Sequence, residues 1–117
     1  MSDKRAALVI DDDEAMRELI QTLLESRQFE VEMLADGIHA TRLTRKYDVI
    51  VLDMNMPVFD GARLADYWML TVPDVLQRVI ILSGYSRRPP HPAAFAVVSK
   101  PFNHQEFIRV VEECANQ

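Results

Sequence analysis

The sequence has few of the residues that mark several classes of protein. One cysteine, Cys114, excludes an internal disulfide framework, and in a helical pattern it is expected to act as a small buried apolar residue. Three glycines and six prolines are too few for a collagen-like chain. No apolar run approaches the roughly 18 residues that a membrane-spanning helix needs, so we expect no membrane insertion and a cytoplasmic location.

Basic residues are also in the minority. The chain has 13 lysines and arginines against 18 acidic residues, which gives a net charge of -5. Because phosphate binding needs clustered positive charge, we expect no direct contact with nucleic acid, and cations are the favoured small ligands. With 117 residues, the chain has the size of a single domain, so we expect one unit over 1–117 and no output domain in this chain.

Two hydrophobic periods alternate along the sequence. Runs that are apolar or alternate with period two predict strands at 6–10, 30–34, 49–52, 79–82 and 94–98. Apolar residues at helical spacing predict helices at 14–26, 38–46, about 62–70 and from Asn103 onward. Strands that alternate with helices indicate a doubly wound α/β domain with a parallel sheet.

One segment breaks this alternation. Three prolines, Pro89, Pro90 and Pro92, fall where the helix between the last two strands should lie. Proline lacks the amide donor and clashes with the preceding turn, so an α-helix cannot run through this segment. We therefore expect the fourth helix to be shortened or missing and the crossover to be extended.

Polar side chains follow the predicted central strands at the point where each strand ends: Asp11 and Asp12, Asp53, Ser83 and Lys100. The carboxyl ends of parallel strands meet at one edge, so these residues should converge. Three carboxylates together repel one another, and Mg²⁺ is the cation that relieves this repulsion. A lysine and a hydroxyl beside them suit a phosphoryl group, with Asp53 as the best-placed nucleophile.

Four motifs together resemble the receiver domain of bacterial response regulators, including the single-domain chemotaxis type, along the whole chain. They are Val9–Asp13, Asp48–Pro57 followed by Asp60 and Gly61, Val79–Gly84, and Val98–Phe102. The resemblance implies a flavodoxin-like α/β fold with a doubly wound five-stranded parallel sheet in the order 2-1-3-4-5.

The resemblance also implies a role for each site residue. Asp53 is the phosphoacceptor. Mg²⁺ is held by Asp11, Asp12, Asp53 and the backbone carbonyl of Asn55. Ser83 takes the hydroxyl position of the family. Lys100 pairs with the phosphoryl oxygens, and its bond to Pro101 is expected to be cis.

A function in a two-component phosphorelay follows from the same resemblance. A sensor histidine kinase or a phosphotransfer protein would phosphorylate the domain, and the resulting conformational switch would control a downstream protein target. We expect a signalling domain that catalyses only its own phosphorylation and dephosphorylation.

The sequence departs from the family at two places. Val97 stands three positions before Lys100, where the family usually has an aromatic residue, and Phe95 and Tyr85 are the candidates to fill similar space. The proline-rich segment replaces the fourth helix, so Arg87–Pro92 could instead be a partner-binding strip.

Two alternatives stay open. The first is a degenerate receiver that binds a protein without being phosphorylated, although such domains usually lack an acid, the acceptor or the lysine. The second is a phosphatase of the haloacid dehalogenase type. Such an enzyme needs an aspartate two residues after its nucleophile as the general acid, and this chain has Asn55 there.

Overall fold

The computed structural model describes residues 4–43, 45–56, 59–84 and 91–117. The strands are β1 (Arg5–Ile10), β2 (Phe29–Leu34), β3 (Val49–Asp53), β4 (Val79–Ser83) and β5 (Ala96–Ser99). The α-helices of the described residues are α1 (Glu14–Glu25), α2 (Gly61–Thr71) and α3 (His104–Ala115), and a 3₁₀ helix (Pro73–Arg78) joins α2 to β4.

All five strands pair in parallel, in the order β2-β1-β3-β4-β5, which confirms the predicted sheet. Ile10 at the end of β1 lies opposite both Leu34 and Leu52. Asp53 at the end of β3 lies opposite Leu82. This register aligns the carboxyl ends of the central strands, so the residues that follow them share one edge of the sheet.

Apolar residues cover both faces of the sheet. On one face, α1 and α3 bury large side chains such as Leu24 and Phe107 against β1 and β3. On the other, α2 and the 3₁₀ helix bury Trp68 and Leu76. A strand with a packed layer on each side must be apolar throughout, which is why β1 and β3 are nearly continuous apolar runs.

Polar side chains define where the three α-helices begin. Asp13, Asp60 and Asn103 are the N-cap residues of α1, α2 and α3, and each side chain accepts a hydrogen bond from an amide of the first turn. These bonds satisfy donors that have no partner inside the helix. The predicted start of the last helix at Asn103 is confirmed.

The predicted helix over 38–46 is wrong. In the described part of this segment, the amides of Ala40 and Thr41 donate to the carbonyls of Gly37 and Ile38 at 3.2 Å, which is turn geometry. The Ala40 carbonyl, which a helix would use for the amide four residues on, accepts from the indole Nε1 of Trp68 at 3.1 Å. Tertiary anchoring to α2 therefore outweighs a weak helical pattern. Ala40 and Leu43 still pack inward, as predicted.

The connection from β4 to β5 is described only in part. Residues 91–95 form turns rather than a helix, in keeping with the prediction that the fourth helix is shortened or missing. Residues 85–90, which include Tyr85 and most of the Arg87–Pro92 strip, lie outside the described residues. The bond between Lys100 and Pro101 is cis, as predicted.

Cys114 lies buried on α3 with a free thiol, and its Sγ is 4.0 Å from the carbonyl oxygens of Asp48 and Gln77. Burial raises the pKa of this thiol to about 11. The expectation of a small buried apolar residue is therefore met. Within the described residues, none of the helices is both long and apolar enough to cross a membrane.

Replacement of Trp68 by phenylalanine tests the anchor between α2 and the β2–β3 connection. Trp68→Phe leaves the Ala40 carbonyl without its donor, and we expect the free energy of unfolding to fall by about 1–3 kcal/mol. Urea denaturation should be followed by far-UV circular dichroism, because Trp68 is the only tryptophan. Tyr67→Phe, at an exposed neighbouring position, is the control, and equal stability of both variants would contradict the anchor.

Candidate functional site

Three carboxylates meet at the carboxyl edge of the sheet. Asp11 directly follows β1 and Asp53 ends the adjacent β3, and the two residues are 0% and 3% exposed. Asp12 is exposed beside them. One carboxylate oxygen from each residue lies within 4.8 Å of the others. The structure thus brings together the three predicted acids in a geometry that could hold a metal ion.

Lys100 is the cation of this site. It follows β5, and its amide donates to the Ser83 carbonyl at 2.8 Å, which extends the pairing of β4 with β5. Its Nζ donates to Asp53 Oδ1 at 3.1 Å and lies 3.5 Å from Asp11 Oδ2. The ammonium therefore bridges two buried carboxylates and compensates part of their mutual repulsion.

Backbone amides fix the orientation of both buried acids. Asp11 Oδ1 accepts from the amide of Asp13 at 2.9 Å, and Asp53 Oδ1 accepts from the amide of Asn55 at 3.2 Å. The guanidinium of Arg17 donates to the Asp11 carbonyl at 2.7 Å. Sequence reasoning missed Arg17. Its place four residues after the N-cap Asp13, one turn into α1, is the signal that could have found it.

Burial and charge shift the pKa values of the central pair. Burial, and next the charge of Asp11, raise the pKa of Asp53 to about 6, although the Asn55 amide and Lys100 oppose this. Burial acts to lower the pKa of Lys100, but the carboxylates of Asp53 and Asp11 outweigh it and raise that pKa above its usual value. Lys100 therefore stays charged, and Asp53 is the acid whose ionisation is held back.

The other predicted site residues lie on the rim. Ser83 ends β4 and is half-buried, and its hydroxyl donates to the Gly84 carbonyl at 3.4 Å rather than to a carboxylate. Asn55 is exposed and holds Asp53 through its amide. Val97, at the position where an aromatic residue was expected, is 43% exposed, and Phe95 packs against the core beneath α1 and α3.

Gly61 lets α2 begin directly against the site. Its amide donates to the Met54 carbonyl at 3.2 Å. A Cβ placed on Gly61 would lie 2.3 Å from the carbonyl oxygen of Asp53 and 3.0 Å from Cα of Met54. Only a residue without a side chain fits here, so Gly61 sets how closely the loop after Asp53 folds back. Met54 itself is buried in the core on this side of the sheet.

The fold and the site define a flavodoxin-like α/β domain with a lysine-paired acidic cluster at the carboxyl edge of its sheet. Residues 7–112 match the family model described as the response regulator receiver domain, and the chain belongs to this family. It is a receiver domain of two-component signalling.

Individual relatives agree with this assignment. The sensor kinase CckA of Brucella abortus is 30% identical over 97% of this chain and 13% of its own length. The receiver domain of the Francisella response regulator 1452 is 29% identical, with a TM-score of 0.81 over 97% of this chain and 98% of that one. The receiver domain of the sensor histidine kinase PA1611 from Pseudomonas aeruginosa shares the fold, with a TM-score of 0.86 and 22% identity over 97% and 99% of the two chains.

This chain corresponds to only part of the curated relatives that it matches. It spans between 13% and 54% of the full length of four curated relatives that it matches.

Alanine substitution at two glycines tests how tightly the site is packed. In Gly61→Ala, the new Cβ forces the Asp53 backbone to move, so we expect a loss of about 1–3 kcal/mol in the free energy of unfolding. Gly84→Ala is the matched control, because its Cβ would lie 3.7 Å from Asn55 Nδ2, an ordinary contact. Urea denaturation of both variants measures this loss. Equal behaviour of the two variants would refute the close approach.

The raised pKa of Asp53 predicts how the stability of the metal-free protein depends on pH. The folded state favours the protonated acid, so its stabilising contribution is full below about pH 4 and is lost as the pH rises through about 6. In EDTA, Asp53→Asn should therefore be more stable than wild type by about 3 kcal/mol at pH 7.5, a margin that shrinks towards pH 4. Urea denaturation at both pH values measures this margin.

Glu18→Gln, on the exposed side of α1, provides the control for loss of one carboxylate. It should leave the pH dependence of wild type unchanged. If the difference in the free energy of unfolding between Asp53→Asn and wild type stayed constant across this pH range, ionisation of Asp53 would not destabilise the folded state.

Proposed function

We propose that Asp53 accepts a phosphoryl group from a sensor histidine kinase or a phosphotransfer protein. The observation that carries this proposal is the position of the Asp53 carboxylate, which is buried at the end of β3, 3.1 Å from Lys100 Nζ. A carboxylate at a strand end that directly faces a lysine can accept a group whose negative charge the lysine compensates. Asp53 is also the acid of this cluster that is the last residue of a central strand.

The transfer needs the ionised form of Asp53. An oxygen of the Asp53 carboxylate attacks phosphorus, the bond between phosphorus and the donor atom breaks, and the donor leaves with the electron pair of that bond. The product is an acyl phosphate on Asp53. Lys100 then pairs with phosphoryl oxygens instead of the carboxylate oxygen that it contacts in the unphosphorylated protein.

Magnesium fits the residues of this site. The ligands would be carboxylate oxygens of Asp11, Asp12 and Asp53 and the backbone carbonyl of Asn55, and hard oxygen donors of this kind suit Mg²⁺. When bound, the ion supplies positive charge that offsets the carboxylates and the incoming phosphoryl oxygens. The structure of the PA1611 receiver domain has a magnesium ion coordinated in its active-site cleft. The excess of negative charge at Asp11, Asp12 and Asp53 over Lys100 supports a divalent cation here.

The output is a change of conformation that controls a downstream protein. Ser83 stands at the end of β4, where its hydroxyl can exchange the Gly84 carbonyl for a phosphoryl oxygen on Asp53. Because Val97 is exposed and not aromatic, we propose that the change passes through the backbone of β4 and β5 rather than through a ring at that position.

We also propose that the domain spans 1–117 and catalyses only its own phosphorylation and dephosphorylation. It works in the cytoplasm, where histidine kinases obtain ATP. Complete acid, acceptor and lysine positions favour a phosphorylated receiver over a degenerate one. Asn55, two residues after Asp53, cannot protonate a leaving group, which disfavours turnover of phosphate esters.

Incubation with acetyl phosphate and Mg²⁺, followed by intact mass spectrometry, tests the acceptor. Wild type should gain the mass of one phosphoryl group, and the gain should vanish in Asp53→Asn and in EDTA. Asp66→Asn, which removes an exposed carboxylate on α2, should be phosphorylated like wild type. An unmodified wild-type protein would favour the degenerate receiver, and an undiminished gain in Asp53→Asn would assign the acceptor elsewhere.

A further inference from the structure

Asp12 differs from the other two acids of the cluster in how its carboxylate is held. Asp11 and Asp53 are buried, and each carboxylate accepts a backbone amide and faces Lys100. Asp12 is exposed, and among the residues that the structure describes its carboxylate has no hydrogen bond or ion pair. One of its oxygens nevertheless lies within 4.8 Å of those of the other two acids. The direction of the Asp12 side chain therefore depends on the backbone on either side of it.

On the amino-terminal side of Asp12, the backbone is held by Arg17. The guanidinium Nη1 of Arg17 donates to the carbonyl oxygen of Asp11 at 2.7 Å, and it is the only side chain of the described residues that donates to this carbonyl. The Asp11 carbonyl and the Asp12 amide belong to one planar peptide group, so a bond to the carbonyl fixes the orientation of the whole group. It thereby sets the direction in which the Asp12 side chain leaves the backbone.

On the carboxyl-terminal side of Asp12, the first turn of α1 completes a closed set of hydrogen bonds. The Asp13 amide donates to Asp11 Oδ1 at 2.9 Å, and the Arg17 amide donates to the Asp13 carbonyl at 2.9 Å. Arg17 thus holds both neighbours of Asp12, one through its guanidinium and the other through its own amide. Side chains on an α-helix point back towards its amino terminus, which is why a long residue one turn into α1 reaches Asp11.

The charge of Arg17 and its hydrogen bond act on a bound cation in opposite directions. A guanidinium this close to the acids repels a second cation, so its charge alone lowers the affinity for Mg²⁺. Orientation of the Asp11–Asp12 peptide raises that affinity, because a ligand that is already aimed at the metal loses less conformational freedom on binding. Removal of Arg17 therefore raises the affinity if charge dominates and lowers it if orientation dominates.

We propose that Arg17 is a positioning residue that aims the Asp12 carboxylate at the metal site. Its hydrogen bond is short and charge-assisted, and the acceptor belongs to a residue that is 0% exposed, so water competes little for it. The repulsion between its charge and a cation beside the exposed Asp12 is screened by solvent and salt. Orientation therefore outweighs repulsion. The inference rests on the magnesium site of the proposed function and not on phosphoryl transfer to Asp53.

Two variants of the full chain test this role. Arg17→Met keeps the apolar stem and removes both the charge and the hydrogen bond. We expect it to weaken Mg²⁺ binding about tenfold, although the loss of a positive charge alone would strengthen binding. Arg17→Lys keeps the charge, but its side chain is one atom shorter and lacks the planar fork, so we expect binding to weaken about threefold. Isothermal titration calorimetry with Mg²⁺ at constant ionic strength measures both changes.

Arg27→Met is the matched control for net charge. Arg27 is exposed and follows the carboxyl-terminal end of α1, at the opposite end of this helix from the acids, so its removal should not weaken Mg²⁺ binding. A second measurement uses the metal-free protein, in which the contact of Arg17 already exists. Both Arg17 variants should shift the carbonyl ¹³C signal of Asp11 and the amide ¹⁵N signal of Asp12, and Arg27→Met should leave both signals in place.

Retained dispersion of the amide spectrum shows which variants are folded. The positioning role is overturned if wild type binds Mg²⁺ and Arg17→Met binds it equally well or more tightly. If only Arg17→Lys folds, an affinity equal to that of wild type overturns the role in the same way. Absence of saturable Mg²⁺ binding by wild type would contradict the magnesium site of the proposed function, and this role with it. A chain that binds Mg²⁺ but is not modified by acetyl phosphate would contradict the acceptor role of Asp53 alone.

Discussion

The confinement of like charges at one edge of the sheet is the constraint on which the rest of this domain depends. The register of β1 with β3 places Asp11 beside Asp53, and the packed layers on both faces keep water away from them. Such an arrangement costs free energy, which the two apolar cores must offset. Lys100 reaches the pair from β5, so three strands must be in register before the site exists.

Burial of apolar residues in two cores offsets the free energy that is lost when the two acids are buried. Each face of the sheet has its own cluster of buried residues, and the central strands contribute to both. A sheet that is covered on two sides holds its strand ends rigidly, which preserves the short contacts among Asp11, Asp53 and Lys100. The β2–β3 connection is held against α2 by the hydrogen bond from the indole of Trp68 to the Ala40 carbonyl.

Local sequence patterns predicted most of the fold because strand burial and helix capping are local properties. Apolar runs marked β1, β3 and β4, and Asp13 and Asn103 marked the starts of helices. The helix predicted over 38–46 failed because its conformation depends on a bond to Trp68, which is distant in the sequence. Strand ends likewise predicted which acids meet, since parallel strands leave no other place for them. The role of Gly61 depends on how closely two backbone segments approach, and no residue pattern encodes that distance.

The buried thiol of Cys114 has a consequence for how the domain opens. Its raised pKa leaves almost no thiolate at neutral pH, and the surrounding layer of α3 excludes reagents. Chemical modification of this sulfur therefore requires at least the last turn of α3 to open. The rate at which a thiol reagent labels Cys114 therefore reports how often the end of α3 opens, without the need to introduce a probe.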